Sequence, residues 1–82
     1  MTPSWRQLAD KITLYILKQR LSNDSYFDSK NSIRIYNEFI SYSGSDVDSA
    51  ELASWCVNYI TIIINMPLGR LKQAADIDGL KY

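Results

Sequence analysis

From Asp48 to Met66 the polar residues Glu51, Ser54, Asn58, Thr61 and Asn65 recur at steps of three and four, the spacing of one narrow stripe along an α-helix. Between them lie Leu52, Trp55, Cys56, Val57, Tyr59, Ile60, Ile62, Ile63, Ile64 and Met66. The β-branched run from Ile60 to Ile64 favours a strand on propensity alone, but no period-two alternation places Asn58 and Thr61 on one face. The pattern outweighs the propensity. A helix apolar on most of its circumference belongs either at the centre of a bundle or in a membrane. Asn58, Thr61, Asn65 and Pro67 interrupt the run, leaving it short of the roughly 20 apolar residues that span a bilayer. The expectation is a buried central helix over about residues 49–66, covered by the rest of the chain.

Its start is marked by Asp48 as N-cap with Glu51 three residues on, a capping box, and by Val47 and Leu52 as a hydrophobic staple. Its end is set by Pro67, which removes the hydrogen bond to the Ile63 carbonyl and crowds it. Beyond Pro67 the polar phase continues through Gly69, Lys72 and Asp76, and the apolar phase through Leu68, Leu71 and Ala75. That persistence predicts either a kinked continuation or a short fourth helix nearly collinear with the third, ending near Asp76. Ile77 to Tyr82 is then a tail held by Ile77, Leu80 and Tyr82.

Upstream, Thr2 as N-cap and Pro3 at the first helical position open a helix that runs to about Leu21. Trp5, Leu8, Ile12, Tyr15 and Ile16 form its apolar stripe, widened by Leu14, Leu17 and Leu21; Arg6, Asp10, Lys11, Lys18 and Arg20 are expected to face water. Residues 22–31 are polar turn chemistry with Tyr26 and Phe27 embedded in it. From Ser32 to Ser43, Ile33, Tyr36, Phe39 and Ile40 fall at helical spacing, with Ile33 to Ile35 as an alternative short strand. Gly44 closes that element in the left-handed region. The fold class predicted is therefore all-α, a small three- to four-helix bundle forming a single domain of 82 residues.

Composition removes several chemistries. The chain has no histidine, so the commonest general base and metal ligand are absent. The one cysteine, Cys56, cannot form an internal disulfide, and beside Trp55 and Tyr59 it reads as a buried small hydrophobe. Asp24 and Asp28 lack the central Gly and closing Glu of an EF-hand loop. Asp46, Asp48 and Glu51 are explained by the helix N-terminus at which they lie, where negative charge is stabilising. Three glycines form no phosphate-binding loop. The reading is of a non-enzymatic protein with no cofactor and no metal.

Formal net charge is zero, so no overall field draws the chain to nucleic acid or to an anionic membrane. Arg6, Lys11, Lys18 and Arg20 give the first helix a modest basic side, read as a solvated face. Residues 37–66, by contrast, carry Glu38, Asp46, Asp48 and Glu51 with no Lys or Arg. No signal-peptide pattern opens the sequence, and a cytoplasmic location is expected. A small helical chain rich in Tyr and Trp has the profile of a binding module. In that profile alone, and through no motif, it resembles small helical immunity, antitoxin and phage-encoded inhibitor proteins, which act by occluding a partner. The expected contact surface is Asp24, Tyr26, Phe27 and Asp28 together with Tyr42, Asp46 and Asp48, where aromatics and carboxylates coincide, and a basic protein is the partner that fits it. The alternative is a structural homo-oligomer whose central helix is completed by a second copy.

Overall fold

The computed structural model describes residues 3–22, 31–44, 47 and 49–81. Four helices fill them: α1 Pro3–Ser22, α2 Ser32–Ser43, α3 Ala50–Ile64 and α4 Leu68–Ile77, with no strand among the described residues. The all-α bundle is as predicted, and the alternative strand at Ile33 to Ile35 lies inside α2. Thr2, the expected cap of α1, lies outside the described residues, as do Tyr26, Phe27 and Tyr82.

Each helix end has an identifiable cause. The Asn31 side chain accepts from the Arg34 amide at the start of α2. At its end, Gly44 takes φ 65° and its N–H reaches the Ile40 carbonyl. In α3 the cap is Ser49, whose hydroxyl accepts from the Leu52 amide, rather than Asp48. Two adjacent residues of nearly equal capping strength compete here, and the helix takes the later one. The shift moves Glu51 out of the third position, so the capping box is not formed, and Val47 and Leu52 lose the staple register. Both are nevertheless half-buried against the core.

The chain does not continue as one kinked helix through Pro67. It leaves α3 at Ile64, and Pro67 is extended with ψ 140° before α4 restarts at Leu68. A separate fourth helix is formed, but not the nearly collinear one expected: α4 packs on α1, and two collinear helices of 15 and 10 residues would need about 37 Å, more than the 32 Å longest extent of the molecule. Side chains take carbonyls here: Asn65 Nδ2 donates to that of Thr61 in the last turn of α3, and Arg20 of α1 donates to that of Met66 in the turn beyond it. Arg20 is therefore a strut between α1 and the α3–α4 turn instead of a side chain pointing to water. At the far end of α4, Gly79 takes φ 74° while its N–H bonds the Asp76 carbonyl and that of Leu80 bonds Ala75. This is a Schellman closure, and it brings Leu80 back onto the core. Ile77, expected to help hold the tail, is 80% exposed.

Side-chain contacts give the topology. Ser32 at the start of α2 bonds Thr61 near the end of α3, so those two helices are antiparallel. Trp5 meets Trp55, Thr13 meets Tyr59 and Arg20 meets Met66, so α1 and α3 run parallel. Tyr15 of α1 packs on Phe39 and Tyr42 at the far end of α2. The core combines Leu8, Ile12, Ile16 and Leu17 with Ile35, Phe39, Cys56, Ile60, Ile63, Ile64, Leu71 and Ala75.

Four expectations about packing change. The helix that packs against all three others is α1, while α3 packs chiefly on α1 and α2. Mean apolarity pointed to α3, but a helix with one broad apolar face and neighbours on both flanks of it can be just as central. In α2 the inward pair is Ile35 and Phe39, four apart, and Ile33 is 64% exposed. Likewise Ile62 is 60% exposed: it borders the stripe of Asn58 and Asn65 and has no helix over it. Leu21 is also exposed, at the last turn of α1.

Among the described residues, the buried polar side chain, Thr13, is satisfied. Thr13, inside the core, gives its hydroxyl proton to the Ala9 carbonyl, so the 2.9 Å bond to Tyr59 must run from the tyrosine hydroxyl to the threonine oxygen. Trp55 stacks on Tyr59 and meets Trp5 edge-on, extending that seam to the N-terminal end of α1.

Candidate protein-binding cleft

Between α1 and the C-terminal half of α2 lies an open cleft of about 260 Å³. Its floor is Leu14, Tyr15 and Phe39, one rim is Lys11, Lys18 and Gln19, and the opposite wall is Tyr42 and Ser43. The local sequence builds it simply. Lys11, Leu14 and Lys18 recur at steps of three and four, so they share one side of α1 beside the core face. On α2, Phe39 and Tyr42 are three apart, which lets Phe39 fill the base while Tyr42 stands at the edge, 72% exposed.

The aromatic contacts fix the shape. Tyr15 packs edge-on to Phe39 with ring centroids 5.7 Å apart, and its other side meets Tyr42 at 5.3 Å with a tilt of 44°. Burial pushes the Tyr15 hydroxyl above the ordinary phenol range, and the nearby Glu38 and Tyr42 push it the same way. Tyr15 therefore stays protonated and available as a hydrogen-bond donor. Glu38 is paired with Arg34 one turn earlier on α2, at 3.8 Å and partly exposed, a contact of small energetic weight.

Of the residues expected to form a contact surface, Tyr42 is described, and it is exposed as that surface requires. Asp24, Tyr26, Phe27, Asp28, Asp46 and Asp48 lie outside the described residues. The cleft adds seven residues that the sequence reading did not select: Lys11, Leu14, Tyr15, Lys18 and Gln19 of α1, and Phe39 and Ser43 of α2. The signal for those of α1 was available in the spacing of Lys11 and Lys18. Which helix would face them was not.

The chemistry elsewhere is sparse. Cys56 is fully buried, and burial alone holds its thiol above the usual range, so it is a packed hydrophobe rather than a nucleophile. Burial also raises the Tyr36 hydroxyl, with Cys56 adding to it. Among the described residues no group of three or more Cys, Asp or Glu side chains gathers where a metal could be held. No helix among them is long and apolar enough to cross a membrane. Compared with known proteins, the chain matches no family model, no curated protein and no solved structure.

Proposed function

We propose that this protein is a non-enzymatic binding module that acts by stoichiometric occlusion of a partner protein, in the manner of small inhibitors, immunity proteins and antitoxins, and that Tyr42 and the α1–α2 cleft form part of its contact surface. The observation that supports this reading is an exposed tyrosine standing beside an apolar-floored cleft. Tyrosine is among the residues that carry binding energy at interfaces, because it offers a large apolar face with a hydroxyl at its tip. Its removal should barely affect the fold, since most of its surface is already in water.

The test is single substitution of Tyr26, Asp28 and Tyr42 to Ala, with thermal melting and partner capture from the native host measured on each. Loss of capture at an unchanged melting temperature supports the surface. If all three lose stability in step with capture, or none changes capture, the surface is wrongly assigned.

A second reading, a structural homo-oligomer, draws on Ile33 and Ile62. They follow Ser32 and Thr61, which are bonded across two antiparallel helices, so a further 100° turn on each helix carries both isoleucines to the same outer side. Light scattering over a dilution series tests it: a mass that falls on dilution, and an Ile62→Glu variant that is monomeric throughout, would favour the oligomer.

A further inference from the structure

We infer that the occupant of the α1–α2 cleft is an acidic amphipathic helix of the partner, with two carboxylates two turns apart on one face and an apolar anchor between them. The inference rests on the protein-binding reading above and adds the partner's chemistry. It differs from the basic partner expected from the sequence, because that expectation drew on carboxylates outside the described residues, whereas the described rim carries lysines.

Charge complementarity carries it. Lys11 and Lys18 are both exposed and stand on the rim of the cleft. Seven residues apart on α1, they are separated by two turns, about 10 Å along the axis. Neither forms an ion pair among the described residues. The nearest carboxylate on the facing helix, Glu38, is engaged by Arg34. Between the two ammonium groups the floor is apolar, and Tyr15 keeps its hydroxyl proton beside it.

A partner helix with glutamates at positions i and i+7 repeats the lysine spacing, and its i+3 and i+4 side chains fall between them on the same face. The cleft takes such an anchor: at about 260 Å³ it lies below the roughly 300–1,000 Å³ of small-molecule sites and is open along the helices. A nucleic acid fits less well, since two lysines on a chain of zero net charge make a short phosphate track.

The test uses the full 82-residue chain, labelled with nitrogen-15, and three helical peptides. One embeds the pattern Glu-Ala-Ala-Leu-Phe-Ala-Ala-Glu in a neutral helical sequence; the others carry Gln or Lys in place of both Glu residues. The acidic peptide should shift amides of residues 11–19 and 39–43 and bind the chain more tightly than the Gln peptide, by up to about fivefold per ion pair at low salt. Lys18→Gln, at an exposed position, should keep the wild-type melting temperature and lose one such factor. Equal binding of the acidic and Gln peptides overturns the inference, as does tighter binding of the Lys peptide, or a short DNA duplex that displaces the acidic one. Amide shifts that grow with protein concentration alone would make a second copy the occupant and also overturn it. If the Lys peptide moves the cleft amides, or Tyr42→Ala still abolishes partner capture, the protein-binding reading survives while the acidic chemistry fails. If no peptide moves them and Tyr42→Ala captures normally, both fail.

Discussion

Ile62 and Ile63 are neighbours in sequence and opposites in environment, and Asp substitution at each tests the register of α3 directly. Ile63 is 4% exposed and belongs to the core, whereas Ile62 is 60% exposed. Ile63→Asp removes a buried aliphatic side chain, which costs about 2–5 kcal/mol. It also places an unpaired carboxylate in the core, for a further several kcal/mol, on the order of 3–5. A chain of this length has a total stability of about 4–12 kcal/mol at roughly 0.05–0.15 kcal/mol per residue. The loss is comparable to the whole, so Ile63→Asp should be largely unfolded at room temperature. Ile62→Asp loses little burial. A new carboxylate in the last turn of α3 opposes the helix dipole by about 0.3–1 kcal/mol, but that term applies to both variants and cannot separate them. Ile62→Asp should therefore melt within about 8 °C of the wild type, and Asn58→Asp, also exposed, should be tolerated. Far-UV circular dichroism with thermal and urea melts reads all three. A native melt for Ile63→Asp, or a collapse of Ile62→Asp, would show that the faces of α3 are wrongly placed.

Three further outcomes are expected. The Thr13–Tyr59 bond should give a coupling of about 1 kcal/mol in a double-mutant cycle of Thr13→Val and Tyr59→Phe measured by urea denaturation; additive losses would mean the bond contributes nothing. Gly44→Ala should destabilise by about 1–2 kcal/mol, because φ 65° strains an L-residue although the space around it is open, whereas Gly69→Ala, helical and equally open, should stabilise by about 0.5–1 kcal/mol; opposite signs in paired melts check this. Cys56 should resist iodoacetamide at pH 8 in the folded protein and react freely in urea, since burial both raises its thiol pKa and blocks access; rapid labelling of the native chain would refute its placement.

What the sequence determined by itself was the local part of the structure. The polar stripe from Glu51 to Asn65 placed α3, and all five of its members are exposed. Ser32 and Gly44 bounded α2, and Pro3 opened α1, because caps, glycines and prolines act through the backbone of their own few residues. The buried Cys56 was legible for a similar reason, lying at helical spacing among large apolar neighbours. The tertiary structure alone decided whatever needed a partner from another helix. Ser49 or Asp48 as cap was a choice between near-equals, and packing of the α3 entry is what can separate them. Ile33 looked inward by spacing, yet Ile35 and Phe39 are the pair that meets the other helices, and no helix is left to cover Ile33 or Ile62. Arg20 had the mark of a solvated terminal residue until the α3–α4 turn brought the Met66 carbonyl to it. The cleft belongs to this second class: Lys11, Leu14 and Lys18 share a side of α1 by periodicity alone, but only the docking of α2 sets Phe39 and Tyr42 opposite them. Periodicity fixes an angle around one axis, and a site between two helices requires their relative placement, which long-range packing supplies.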